Sequence, residues 1–368
     1  MISHIYSKSA VHGSAPGHAQ AENILYGRLL PLIYTSLGKS FDIHEVWNAT
    51  TMDFITAYLF GLRSGANFLQ NPEERKRWLH LYHARKTYPY FTQELPRLTR
   101  FCKMLGIHLV PKWVDDANDE LEAWTRAHCD QAMQFMENTP SSQRKVEDEP
   151  VVLGTLLSAI KKEESIKGRD SVLAETTLRF QDLSIASEMI DHLAAGHETS
   201  GITMTYLSYH LSKHSDVQDE LRKELLTLSP SMSLTNPLHE IPASKDIDAL
   251  PYLQAVIMET LRLNAAIPGG QPRQTPFPTS TIGKFSNIPG GTRIAAQAHS
   301  IHRSPAVYPN PDCWDVTRWL DDRNGYTEEQ SRERDRWFWA FGSGGRMCVG
   351  SNFAIHGTYY LSRKERLC

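Results

Sequence analysis

Apolar residues recur at i, i+3 and i+4 through 19–37 and 42–62, a spacing that predicts two amphipathic helices. The segments 72–86 and 114–138 repeat the pattern with more charge, which predicts partly exposed helices. Residues 139–149 are polar, with a proline, two serines and mixed charges, and read as a surface loop within one domain. A further helix is expected over 151–162. The span 173–211 reads as one long helix with Gly201 and Ile202 inside it, and helices are expected at 216–228 and 248–263, the latter region ending at Pro268. The character then changes. Residues 272–296 are rich in Pro, Gly, Thr and Ile and predict short strands and turns. Residues 304–312 contain three prolines and read as loop. No internal repeat or low-complexity tract is evident. Helices followed by a small β region predict a single mainly α (α+β) domain over 1–368.

Composition narrows the function classes. The chain has 368 residues, 40% hydrophobic and 22% charged, enough for a large core. A net charge of −3 and the lack of a long basic run give no sign of nucleic-acid binding. Five cysteines, odd in number and widely spaced, argue for a reducing compartment and against a disulfide framework or a zinc site. No 18-residue apolar run occurs. The best candidate, 24–37, is broken by Arg28 and Pro31, and the first residues lack a secretory signal's apolar core. The chain therefore reads as soluble and cytosolic, without a legible anchor or targeting segment.

The candidate chemistry centres on Phe341-Gly-Ser-Gly344-Gly-Arg346-Met-Cys348-Val-Gly350. A thiolate, not a thiol, ligates metal, and a single cysteine in such a loop suits an iron. Glycines allow a tight turn whose amide N–H groups face the sulfur and tune its charge. Arg346 suits a carboxylate such as a haem propionate, Phe341 offers a flat apolar face, and Gly350 would let a following helix approach closely. A buried free cysteine after a glycine turn is the plain alternative, but five fixed residues at fixed offsets argue against it. A c-type Cys-x-x-Cys-His attachment is absent. A second run, Ala195-Gly196-His197-Glu198-Thr199-Ser200, sits mid-helix, where a glycine and two hydroxyl residues make a poor helix centre and the hydroxyls can open the helix locally. His197-Glu198 is not a metalloprotease start, because position 201 is glycine. Glu259 and Arg262 place opposite charges three residues apart on one helix face. The glycines at 342, 344 and 345 form neither a dinucleotide fingerprint nor a phosphate loop, and no Gly-x-Ser-x-Gly elbow occurs.

The pattern Phe-x-x-Gly-x-Arg-x-Cys-x-Gly resembles the haem-ligand loop of the cytochrome P-450 family at every fixed position. The 195–200 run matches its Ala/Gly-Gly-x-Asp/Glu-Thr-Thr/Ser motif. Glu259-x-x-Arg262 and Trp314-Asp-Val316-Thr-Arg318-Trp319 follow in family order, with Val316 where a proline is usual. Residues between the motifs look most like filamentous-fungal members of secondary metabolism. The resemblance implies a helix-rich cytochrome P-450 fold incomplete at both termini. It implies haem b held through the Cys348 thiolate, and cofactor contacts from Phe341, Gly344, Arg346, Gly350, Ala195, Gly196 and the strand residue Arg273. Thr199 would donate a hydrogen bond where oxygen binds, and Glu198 would belong to a proton-delivery path. Glu259, Arg262 and Arg318 would form a buried charged scaffold, and Ile267 and Pro268 would line the substrate pocket.

The implied activity is a monooxygenase that inserts one atom of O2 into an apolar small molecule, with electrons from an NADPH–cytochrome P-450 reductase. Full-length relatives would sit at the endoplasmic reticulum membrane. Two departures qualify this. The chain starts like the middle of a family segment, and Trp78 and Arg85 lack the Trp-x-x-x-Arg spacing that would supply upstream propionate partners. At the other end, 351–368 begins the expected helix but reads as truncated or aberrant from Gly357. The alternative is an inactive remnant, or a haem-thiolate protein without oxygenase activity.

Overall fold

Helix ends in this protein are set by local chemistry. Asp42 caps one long helix by accepting the His44 and Glu45 N–H groups, and Gly61, at φ +82°, ends it. Asn71 caps the next, with Pro72 in its first turn and Glu73 and Glu74 against the positive end of the helix dipole. Thr327 and Gln330 form a reciprocal capping box.

The computed structural model describes residues 2–230 and 240–361. The chain forms two compact units, Met1–Gly201 and Ile202–Cys368. The first holds α1 (Lys8–His12), α2 (Ala15–Ile24), α3 (Leu30–Thr35), α4 (Ile43–Phe60), α5 (Pro72–Arg85), α6 (Pro89–Glu94), α7 (Pro96–Met104), α8 (Lys112–Asn138) and α9 (Val151–Ile166). It also holds most of α10 (Gln181–Lys213). A π-helical turn, Leu25–Leu29, joins α2 to α3. In α8, Val114, Ala117, Leu121, Thr125, Cys129 and Ala132 are buried at three- and four-residue spacing, one apolar stripe along an otherwise polar helix. The core of this unit is built on α4, where Trp47, Ala49, Met52, Leu59 and Phe60 are fully enclosed.

The second unit continues with α11 (Ser215–Leu225), α12 (Ser244–Asp248) and α13 (Pro251–Leu263). Strands β1 (Gly270–Gln274), β2 (Thr279–Ile282), β3 (Phe285–Pro289) and β4 (Arg293–Gln297) follow, and then α14 (Ala298–Ile301), α15 (Glu328–Trp337) and α16 (Ser351–Leu361). β1 pairs antiparallel with β4, Gln271 opposite Ala296, and β2 pairs antiparallel with β3. No helix among the described residues is long and apolar enough to cross a membrane.

Several expectations change. The long helix starts at Gln181, after a separate π-helical turn at Ala174–Leu178. The helix expected over 248–263 is α13, which starts at Pro251, and a separate short helix, α12, precedes it. Helices α6, α7 and α15 were not legible, being short and highly charged or proline-flanked. The 139–149 loop is not merely surface: the Gln20 amide donates to the Glu147 and Glu149 carbonyls, tying it to α2. At the C-terminal end, α16 runs from Ser351 through Gly357 to Leu361, since one glycine weakens a helix by only about 1 kcal/mol. Residues 362–368, which complete the segment read as aberrant, lie outside the described residues.

Candidate functional site

In the second unit the cysteine loop is closed by its own backbone. The Cys348 N–H donates to the Phe341 carbonyl at 2.9 Å, and the Gly342 N–H to the Trp339 carbonyl at 3.0 Å. Gly342 and Gly344 adopt φ +68° and +70°, left-handed values that a side chain would strain. The Gly350 N–H bonds to the Cys348 sulfur. Cys348 is exposed, yet the protein around it desolvates the thiol enough to push its pKa up, and the Gly350 N–H only partly offsets this. Met347 and Val349, on either side, are exposed apolar residues, Phe341 is half-buried, and Arg346 is exposed. A methyl group at Gly350 would meet nothing within 4 Å, so close approach of a helix is not the reason for that glycine. Arg273 lies exposed on β1 with Nη1 donating to the Pro272 carbonyl. Ile267 is also exposed.

Beneath the loop lies a buried charged cluster. The Arg262 guanidinium donates to both Glu259 oxygens at 2.8 Å and to the carbonyls of His302, Pro311 and Cys313. Glu259 also accepts from Arg318 Nε at 3.3 Å, Trp319 Nε1 at 2.9 Å and the Asp315 N–H. Glu259 and Arg262 are fully enclosed and Arg318 nearly so. His302, which no motif singled out, joins this cluster to the cysteine loop. Its Nε2 accepts the Trp339 backbone N–H at 2.7 Å, so its Nδ1 carries the proton and donates to the Arg262 carbonyl at 2.7 Å.

In the first unit, α10 runs through the 195–200 motif without a break, contrary to the expected local opening. Thr199 Oγ1 donates to the Ala195 carbonyl at 2.6 Å, one turn back, and the ladder absorbs it. A Cβ on Gly196 would lie 2.7 Å from Ile55 Cγ1, so this glycine lets α10 pack closely on α4. Thr51 reinforces that contact by donating to the His197 carbonyl at 2.6 Å. Glu198 turns toward α5, where the Lys86 ammonium pairs with its Oε2 and the Tyr82 hydroxyl donates to it at 3.2 Å. Burial raises the Glu198 pKa, but the Lys86 hydrogen bond and charge outweigh it and hold the carboxyl below its ordinary range. Lys86 and Tyr82 carry no sequence signal of this role.

Burial pushes both His197 and His302 down to about 4. Folded protein keeps them neutral while unfolded chain protonates near its ordinary value of 6.5. The unfolded state therefore binds more protons between these values, and stability falls as pH drops from 6.5 toward 4. The loss is on the order of 3 kcal/mol per histidine. Urea midpoints at pH 7.5 and 4.5 measure it, and His302→Gln should flatten the slope. An equal slope in that variant would remove His302 as a cause.

The donor set of the second unit fits an iron porphyrin. It offers one thiol with a backbone N–H on its sulfur, a short apolar surface beside it and exposed guanidinium groups. Of this unit's tryptophans, Trp314, Trp319 and Trp337 donate their indole N–H to Thr260, Glu259 and Glu333. Trp339 Nε1 is buried with no acceptor among the described residues, an arrangement that suits a carboxylate supplied from outside the chain. Among the described residues no cluster of three or more His, Cys, Asp or Glu could hold a metal ion.

Comparison with known proteins agrees with this geometry. The family profile described as Cytochrome P450 matches residues 27–359. Cytochrome P450 monooxygenase orf2 of Aspergillus niger is 27% identical over 322 residues, covering 85% of this chain and 55% of that protein. Cytochrome P450 monooxygenase avaI of Aspergillus versicolor is 24% identical over 381 aligned positions, covering 99% and 80%. Cytochrome P450 monooxygenase tazI of Aspergillus terreus is 36% identical over a shorter 173 residues, covering 47% and 32%. The chain thus spans about half the length of the first of these relatives. The crystal structure of the cytochrome P450DA haem domain superposes with a TM-score of 0.69 at 18% identity, covering 98% of this chain and 68% of that one, which shows a shared, mainly α fold. The match to the family profile over nine-tenths of the sequence decides the assignment: the chain belongs to the cytochrome P450 family.

Proposed function

We propose that this chain is a haem-thiolate monooxygenase that inserts one oxygen atom of O2 into an apolar small molecule, a secondary-metabolite intermediate by similarity to its fungal relatives. The observation that carries this reading is the cysteine loop, where Cys348 is clasped through Phe341 and capped at sulfur by Gly350. Haem b, when bound, supplies the chemistry of oxygen activation. The protein's part is to bind, orient and manage protons. Cys348 gives its thiolate, and the Gly350 N–H tempers the sulfur's charge. Arg346, Arg273 and the Trp339 indole N–H would hold the carboxylates. Thr199 Oγ1, which donates to the Ala195 carbonyl, would serve as a hydrogen-bond donor in proton delivery. Glu198 Oε2, shared by Lys86 and Tyr82, would receive and pass a proton once Lys86 releases it. Electrons would come from NADPH through a separate cytochrome P450 reductase, and the chain as a whole reads as one P450 domain.

The reduced, CO-treated absorption spectrum of haem-supplied protein tests this directly: a long-wavelength Soret band supports it, and its absence favours the inactive-remnant alternative. A further expected result concerns Thr199. In Thr199→Ala the haem spectrum should persist, while product formation falls by about 10²-fold and electrons go to peroxide. Coupling of NADPH use to product that matches the parent protein would remove Thr199 from oxygen activation.

A further inference from the structure

The whole chain carries a net charge of −3, yet residues 85–113 hold six Lys or Arg and one acid, Glu94. Seven large apolar side chains are exposed in the same stretch, so bases and apolar groups share one surface. No residue of α6 or α7 is buried. Leu98, Phe101 and Leu105 recur at i, i+3 and i+7 and share one face of α7. Met104 lies beside them and is 79% exposed. Arg97 and Arg100 directly precede Leu98 and Phe101, and with Lys112 they form no ion pair among the described residues. Lys103, by contrast, pairs with Asp115 at 2.6 Å. Tyr90 and Trp113 flank this face and are exposed as well.

The face is held from within. Thr99 Oγ1 donates to the Phe91 carbonyl at 2.7 Å and ties α7 to α6, while Tyr88 meets Trp113 edge-on at 5.9 Å. At the tip, Gly106 turns at φ +75°, and a Cβ there would meet nothing within 4 Å. The backbone of this turn is satisfied by itself. The Leu105 and Ile107 N–H groups donate to the Cys102 carbonyl at 3.0 and 2.9 Å, and the Gly106 N–H donates to the Lys103 carbonyl at 3.1 Å. Apolar side chains on such a turn enter a hydrocarbon layer without carrying open N–H groups into it. Long basic side chains reach back to the headgroups, and Tyr and Trp rings favour that boundary. Charge argues against a second copy as the occupant, because a symmetric contact would bring the unpaired bases against one another.

We propose that α6, α7 and the turn after them rest on an anionic lipid surface. Phe101, Met104, Leu105 and Ile107 enter the acyl boundary, and Arg97, Arg100 and Lys112 meet the anionic headgroups. This peripheral attachment does not depend on Cys348 or on haem.

Flotation of the full 368-residue chain with phosphatidylcholine vesicles, with and without phosphatidylserine, tests it. Binding should be about 10²-fold tighter with phosphatidylserine, about 5-fold for each of the three unpaired bases, and should weaken as salt rises. Arg97→Gln, Arg100→Gln and Lys112→Gln together should remove that preference. Phe101→Asp with Leu105→Asp should abolish binding to both kinds of vesicle. Val172→Asp changes an apolar residue that is 93% exposed elsewhere in the unit and should leave binding as it is. All these side chains are exposed, so circular dichroism and urea midpoints of the variants should match the parent. Cys348→Ala protein should bind the vesicles as the parent does, so a failed haem assignment leaves this result standing. No vesicle binding, equal binding to the two compositions, or a preference that survives the triple change would overturn the proposal. So would a lipid-free dimer that Phe101→Asp breaks in a chain that ignores vesicles.

Discussion

Glu259→Ala is expected to lose at least 3–5 kcal/mol of folding stability, the range for removing one partner of a buried ion pair. The carboxylate accepts from Arg262, Arg318, Trp319 and the Asp315 N–H, so its removal strands two buried guanidinium charges and an indole N–H at once. Total stability of a natural domain is about 5–15 kcal/mol, so this single change takes a large share. Arg262 also ties the carbonyls of His302, Pro311 and Cys313 to α13, and His302 in turn holds the Trp339 backbone. The disturbance should therefore reach the cysteine loop and weaken haem retention, although Glu259 makes no contact with Cys348. Equilibrium urea unfolding of Glu259→Ala beside Glu259→Gln measures the effect. The amide keeps its shape and one acceptor, so it should lie between the alanine variant and the parent. A loss below about 1 kcal/mol, the value of an exposed pair, would show that the cluster is solvated and incidental.

Cys348→Ala should eliminate the long-wavelength Soret band of the reduced CO complex and lower haem affinity by more than about 10²-fold. Changes in groups that merely support a metal ligand already cost 10–100-fold, and this change removes the ligand itself. The other cysteines among the described residues offer no substitute in such a loop: Cys129 is buried in α8 with its pKa pushed up by burial, and Cys102 and Cys313 lie elsewhere in the chain. Free thiol at Cys348 is also held up by desolvation, so iron must displace its proton, and haem uptake should quicken as pH rises. A variant that keeps the same band would end the assignment of Cys348 as ligand.

Some of this was legible without coordinates because it is local. Apolar spacing in 42–62 marks α4 as a helix, since a helix needs only its own backbone bonds, although the fold then buries it on every face from Val46 to Phe60. The loop from Phe341 to Gly350 is a run of ten residues whose closure depends on glycines within it. Glu259 and Arg262 are one turn apart, so their pairing follows from helix geometry alone. Short helices such as α6 and α7 escaped because a turn or two flanked by proline carries too few positions to show a period.

The sequence by itself marked the cysteine loop, the 195–200 run, the Glu259–Arg262 pair and the longer helices, because spacing along one chain encodes motifs and periodicity alike. Only the tertiary structure decided their partners. It sent Glu198 to Lys86 and Tyr82, Gly196 to Ile55, and Arg262 to carbonyls some 40–50 residues away. It also left the indoles of Trp78 and Trp339 without acceptors among the described residues. Such pairings depend on where distant segments come to rest, and a periodicity of 3.6 residues says which way a side chain faces but not what it will meet.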